Sequence, residues 1–91
     1  MNKAQRRHLR WLLFGQQDGL CFYCREPMTL SFSYRETLWD NAATLEHLHR
    51  QADGGGHVRG NAVLSCRRCN GRRGDRDWQD YRMDRLDGRG V

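Results

Sequence analysis

Apolar and polar positions along the chain divide it into short elements of different period. From Lys3 to Phe14, Leu9, Leu12 and Leu13 recur at helical spacing while Lys3, Arg6, Arg7 and Arg10 take the other sides. That spacing predicts a helix over 3–14, with Asn2 placed to cap it and Gly15 to stop it. Met28, Leu30, Phe32 and Tyr34 then alternate with Thr29, Ser31, Ser33 and Arg35, a period of two that predicts a strand with one buried face. Asp40-Asn41 signals a turn, and a second strand is expected from Ala43 onward, carrying Leu45. Gln51 to Gly60, with glycines at 54, 55 and 56, has the composition of a loop. Ala62-Val63-Leu64 is expected to return as a buried strand beside Ala43–Leu48. A helix should follow despite Gly71 and Gly74, and Asp77 can cap a last helix over 77–86 that buries Trp78, Tyr81 and Leu86. The final Gly88 to Val91 should fray. These elements predict a small α+β domain over 1–91, with its core in about 19–75 and a helix on each flank.

Size changes the picture first. In a chain of 91 residues, 37% hydrophobic and 30% charged, the apolar core is thin, and domains of this kind depend on a staple. Charge changes it next. The net formal charge is +5, and all sixteen basic residues but Lys3 are arginine. Arginine presents a planar fork of donors suited to phosphate, so a polyanionic partner is favoured. The arginine face of the first helix fits phosphate contact, and equally a solvated helix face. No segment approaches the apolar length of a membrane span, and Trp11-Leu12-Leu13-Phe14 is too short for a signal peptide. An intracellular, reducing compartment is the expectation.

Cys21, Cys24, Cys66 and Cys69 form two Cys-x-x-Cys pairs with 41 residues between them and no cysteine left over. Either pair alone would also fit a redox motif, and both together would fit two disulfides in a secreted protein. In a reducing compartment the pattern favours one structural Zn²⁺ held by four thiolates, a closed site that does no chemistry. Such a zinc would join the N-terminal part of the chain to the strand–helix part.

A second set of residues has the makings of a reaction centre. Glu46 offers a hard carboxylate oxygen and Asn70 an amide oxygen, a pair suited to Mg²⁺ or Mn²⁺ with water in the remaining positions. His47 has the chemistry of a general base at physiological pH, and Arg72 and Arg73 can reach phosphate oxygens. His49, His57, Arg6 and Arg10 are further candidates for contact with nucleic acid, although a histidine in a loop or strand is more often an ordinary polar residue.

The order of these residues carries more than any one of them. Cys21-x-x-Cys24, Thr44-x-Glu46-His47, the glycines at 54 to 56, Asn61, and Cys66-x-x-Cys69-Asn70-x-x-Arg73-Gly74 resemble the zinc-containing, four-cysteine branch of the HNH endonuclease family over about Leu20 to Gly74. The resemblance implies a ββα-metal fold in which a two-stranded hairpin and a helix cradle one catalytic cation. It implies that His47 is the general base, that Asn61 braces the loop and holds that histidine, and that Glu46 and Asn70 ligate the cation. Three positions depart from the family pattern. The acid is usually Asp and is Glu46 here, a proline common after the acid–His pair is Arg50, and the basic residue after the second knuckle is usually Lys and is Arg73. By this likeness the chain is expected to be a metal-dependent DNA endonuclease that nicks duplex DNA as a monomer with little sequence specificity. A protein partner such as phage packaging machinery, where small free-standing members are familiar, could supply specificity. Two other readings need fewer of these residues: a zinc-stapled nucleic-acid-binding module that does not cut, and a zinc-stapled protein-interaction domain.

Overall fold

The computed structural model describes residues 2–48 and 61–87. Helix α1 runs from Lys3 to Gln16, strand β1 from Ala43 to His47, strand β2 from Ala62 to Cys66, helix α2 from Arg67 to Arg73 and helix α3 from Trp78 to Asp87, with a 3-10 turn at Glu36–Leu38. The strands pair antiparallel, Leu45 opposite Leu64 and Glu46 opposite Val63. The backbone N–H of Leu48 donates to the Asn61 carbonyl at 2.7 Å and closes the end of the hairpin. Strand, returning strand and following helix form the expected ββα unit.

Asn2 caps α1 as expected: its side chain accepts from Gln5 N–H while the Gln5 side chain accepts from Asn2 N–H, a reciprocal box that satisfies two orphan donors. Gly15 does not stop the helix. It ends two residues later, because Asp18 and Gly19 both adopt left-handed backbone, φ 54° and 72°, and Gly19 N–H returns to the Phe14 carbonyl at 2.9 Å. Leu12 is half exposed rather than on the buried side.

Behind α1, the Gln17 side chain serves as a substitute strand for the free edge of β2. Its Oε1 accepts from Leu64 N–H at 2.8 Å, and its Nε2 donates to the carbonyls of Leu64 and Leu20, each at 2.9 Å.

The strand expected over Met28–Tyr34 does not form. Met28 is buried and Leu30 packs on the core, but the only ladder contact is at Thr29, whose N–H donates to Asn41 O and whose carbonyl accepts from Ala43 N–H. Beyond Thr29 the segment has no partner strand among the described residues and curls into the turn at Glu36–Leu38. Phe32 is left partly exposed and Tyr34 80% exposed. Alternation there marks aromatic residues on a folded-back loop, because a strand needs a neighbour as well as a period.

The core is built around sulfur. Among the described residues its buried cluster has nine members, four of them the cysteines, joined by Tyr23, Met28, Ala43, Leu64 and Tyr81. Tyr81 brings α3 into it, edge-on to Tyr23 with ring centroids 5.0 Å apart. Trp78 meets Phe22 at 5.6 Å, and the Arg82 guanidinium lies over the same Phe22 ring at 4.5 Å. Asp77 caps α3 through Oδ2, which accepts from the N–H groups of Gln79 and Asp80. Trp78 and Tyr81 thus form the inner side of α3, as the sequence pattern predicts.

Candidate functional site

The first knuckle is a tight turn. Arg25 N–H reaches back to the Cys21 carbonyl at 3.0 Å and Cys21 N–H to Glu26 O at 2.9 Å, with Arg25 in the left-handed region at φ 63°. The second knuckle begins α2: Cys66 is its N-cap, and its sulfur accepts from Cys69 N–H at 3.4 Å. All four sulfurs are buried and lie within 4.8 Å of one another. Thiolates around a tetrahedral Zn²⁺ with bonds of about 2.3 Å would stand roughly 3.8 Å apart, close to the 3.9 Å between Cys24 and Cys66. Donor type, number and spacing fit a structural zinc, and a small inward contraction completes the tetrahedron.

The sulfur environment is divided. Cys21 Sγ accepts from the N–H groups of Tyr23 and Cys66. Hydrogen bonding from the Cys66 thiol, opposed by burial and helped by backbone N–H donors, draws the Cys21 thiol down to about 4. Burial raises Cys24, and the bond to Cys21 together with burial raises Cys66. One thiolate is already favoured without metal, and an incoming cation displaces the remaining protons.

The other set of expected site residues lies along the strand–helix seam. Alternation in β1 turns Thr44 and Glu46 toward α2, and α2 meets them with residues one turn apart. Asn70 Nδ2 donates to Thr44 Oγ1 at 3.3 Å, and Arg73 Nη1 donates to Glu46 Oε1 at 2.8 Å. Glu46 and Arg73 are both 8% exposed. Arg73 also donates from Nη2 to Leu48 O and from Nε to Arg76 O. Its guanidinium therefore ties the end of β1, the end of α2 and the turn after it into one knot. Burial works against its charge, but the hydrogen bond to Glu46 and the neighbouring Tyr23 and Glu46 groups outweigh that and hold its pKa above the ordinary value.

This corrects one expectation: Arg73 does not reach outward to phosphate. It is buried and occupied by protein acceptors. Glu46 Oε2 is buried and accepts no hydrogen bond of good geometry among the described residues, with the Tyr23 hydroxyl beside it. Glu46 and the exposed Asn70 are the oxygen-bearing side chains of this seam, of the donor type that a hard divalent cation takes. Beside it the Tyr23 hydroxyl is raised well above its ordinary pKa, first by burial and then by the Glu46 charge.

Alternation places His47, the last residue of β1, on the strand face opposite Glu46. Asn61 is 5% exposed and stands at the entrance to β2, its carbonyl bound to Leu48. The structure thus brings Thr44, Glu46, Asn70 and Arg73 together on one side and sets His47 and Asn61 at the loop end of the hairpin. His49, His57, Arg50 and the glycines at 54 to 56 lie outside the described residues.

Arg72 is exposed, as expected, and with Arg67, Arg68, Asn70 and Gly71 it lines an open hollow of about 550 Å³. Thr44, quoted from the sequence as part of the acid–His motif, turns out to hold Asn70. Two residues of this region were not singled out from the sequence: Tyr23, which packs beside Glu46, and Gln17, which secures β2.

Among the described residues no helix is long and apolar enough to cross a membrane. A family model described as HNH endonuclease matches residues 21–76, well over half of the chain. Neither a search of curated proteins nor one of solved structures finds a match.

Proposed function

The chain belongs to the HNH endonuclease family, and from that premise we propose that it is a divalent-cation-dependent DNA endonuclease that nicks one strand of a duplex per encounter. The observation that carries the reading is the seam between β1 and α2, which brings the buried Glu46 carboxylate and the exposed Asn70 amide to one side of the hairpin, Asn70 one helical turn before Arg73. Glu46 and Asn70 would hold the cation. A Mg²⁺-class ion bound there supplies positive charge opposite the phosphate and the departing 3′-oxygen. His47 accepts the proton of the attacking water. Asn61, at the loop end of the hairpin, keeps that histidine in place. Because Glu46 and His47 face opposite sides of β1, one phosphate meets both only across the end of the hairpin, so we put the scissile phosphate there. Arg72 and its neighbours on α2 bind the flanking backbone. The protein works as a monomer in a reducing intracellular compartment, and with little surface left to read base edges it cuts with low sequence specificity. A protein partner such as packaging machinery would then supply targeting.

The test is nicking of supercoiled plasmid with and without Mg²⁺ or Mn²⁺, wild type against His47→Ala. Cation-dependent nicking that disappears in the variant supports the proposal, whereas equal nicking by both proteins removes His47 from the mechanism. One observation favours a second reading, a zinc-stapled nucleic-acid-binding module: Glu46 is already half committed to Arg73. Duplex binding without cleavage in any divalent ion would decide for it.

A further inference from the structure

Helix α1 precedes the stretch matched to the family, and its charges have no structural use. Lys3, Arg6, Arg7 and Arg10 fall at i, i+3, i+4 and i+7, one continuous stripe on the helix. Every neighbouring pair in that stripe is a like-charge pair at i,i+3 or i,i+4, an arrangement that destabilises a helix. The stripe begins at the helix N-terminus, where the macrodipole disfavours cations, and the first turn holds no acid to offset them. None of the four makes an ion pair among the described residues. The nearest turn contributes Thr37 to the stripe, while its acid, Glu36, is bound by the Ser31 hydroxyl.

The stripe is nevertheless ordered. Lys3, Arg6, Arg7 and Arg10 line a groove of about 240 Å³ whose opposite wall is Phe32 and Thr37. The Arg7 guanidinium lies 5.2 Å and that of Arg10 6.0 Å from the Phe32 ring centroid. Phe32 is the residue that the failed strand leaves at the surface, and here it holds two cations close together by its ring face. Arg10 feels the crowding: partial burial, then Arg6 and Arg7, lower its pKa. Four cations thus share one groove, two of them against an aromatic ring and none in an ion pair among the described residues, which is the charge arrangement that an anion would offset. From Lys3 to Arg10 the stripe is roughly 10 Å long, which at about 3.4 Å of rise per nucleotide matches some three phosphates of one strand.

We infer that the groove between α1 and Phe32 is a phosphate-backbone grip for nucleic acid, separate from the arginines of α2, which anchors the substrate away from the bond that is cut. The choice of nucleic acid as the polyanion rests on the family reading above; the grip itself rests on α1 and Phe32. It would raise affinity without selecting sequence, because phosphate contacts position and do not specify.

The test uses the full chain with zinc bound, in a His47→Ala background without added divalent cation. Binding of a labelled duplex is followed by fluorescence anisotropy across a salt series, for the parent and for R6A/R7A/R10A. Alanine is the better helix former and none of the three sites is in the core, so the fold should survive; far-ultraviolet circular dichroism verifies it. The slope of log affinity against log salt should become shallower by about 2 to 3, close to one for each lost phosphate contact, with at least tenfold weaker binding at low salt. Replacing the three by lysine should restore most of the slope, and Phe32→Leu should weaken binding while leaving the slope near that of the parent. An unchanged slope in the alanine variant overturns the grip, as does stripe-dependent binding to anionic lipid vesicles without stripe-dependent binding to duplex. The two readings separate cleanly. Plasmid nicking by a chain with intact His47, together with a stripe-independent slope, sinks the grip alone. A stripe-dependent slope without nicking in any divalent ion sinks the nuclease reading and leaves the grip standing.

Discussion

Replacing Gln17 with alanine tests whether one amide side chain holds the free edge of β2. Leu64 is fully buried, and its N–H points away from β1 to Gln17 Oε1 at 2.8 Å. Truncation leaves that N–H unsatisfied, which costs about 1–3 kcal/mol. The Leu64 carbonyl also loses the Gln17 donor at 2.9 Å but keeps Phe22 N–H at 3.1 Å. The Leu20 carbonyl loses its bond as well. These two acceptor losses add about 0.5–1 kcal/mol each, given that carbonyls tolerate a missing donor better than a buried N–H tolerates a missing acceptor. The expected destabilisation is about 2–5 kcal/mol, a large share of the roughly 5–15 kcal/mol that holds small domains together. Urea unfolding at fixed excess zinc, followed by tryptophan fluorescence, should show a lower midpoint at unchanged slope. Hydrogen exchange should show Leu64 N–H losing protection ahead of its β2 neighbours. Gln16→Ala, at the exposed end of the same helix, is the control and should change stability by less than about 0.5 kcal/mol. If Gln17→Ala also stays within that margin, a water replaces the amide and the substitute-strand argument fails.

Two further outcomes follow from the fold. With four of nine core residues being cysteines, zinc removal should abolish the folded state: a chelator should collapse near-ultraviolet circular dichroism, and one equivalent of zinc per chain should restore it. A folded, purified sample without metal would overturn the assignment. Gly19→Ala should cost about 1–3 kcal/mol, read as a shifted urea midpoint. Its φ of 72° disfavours any L side chain, and an added Cβ would meet the Phe14 ring at 3.1 Å; a stability equal to that of wild type would show that the turn relaxes freely.

The parts legible in the sequence are those in which local pattern and long-range partner agree. β1, β2 and α3 were readable because Leu45 and Leu64 pair across the hairpin and Tyr81 finds Tyr23. The cysteine cluster was readable because the metal imposes its own spacing. The alternation at Met28–Tyr34 misled because beyond Thr29 no strand among the described residues lies beside it, so a period of two finds no ladder there. Arg73 misled for another reason. A guanidinium just past a metal knuckle has the chemistry for phosphate, and only tertiary packing shows that Arg73 is buried with each of its three nitrogens donating to Glu46, Leu48 or Arg76. Gln17 gave no sign, since its role depends on where α1 docks, and no spacing in the chain encodes that.

Packing also connects two features that look unrelated along the chain. The acid before the base is usually Asp in the resembling family and the basic residue after the second knuckle usually Lys; here they are Glu46 and Arg73, and the two bond each other at 2.8 Å, both buried. Glu46 reaches across to α2 by one additional carbon–carbon bond, about 1.5 Å. Arg73 meets it with a fork that satisfies Leu48 O and Arg76 O at the same time, which a single ammonium on a flexible stem cannot reproduce. The substitutions therefore act as one unit. Glu46→Asp alone should leave Arg73 short of its acceptor, and Arg73→Lys alone should leave two carbonyls without donors. Each should approach, without reaching, the roughly 3–5 kcal/mol lost when a buried pair is broken outright. Together they should cost about 1–3 kcal/mol less than the sum, the coupling expected of residues in contact. Unfolding of all four proteins at fixed free zinc measures it, and costs that add to within about 0.5 kcal/mol would show the two changes to be independent. If the coupling is present, nicking by Glu46→Asp alone reports a strained seam, and the part Glu46 plays toward a cation is read from the double variant, where the pair is matched again.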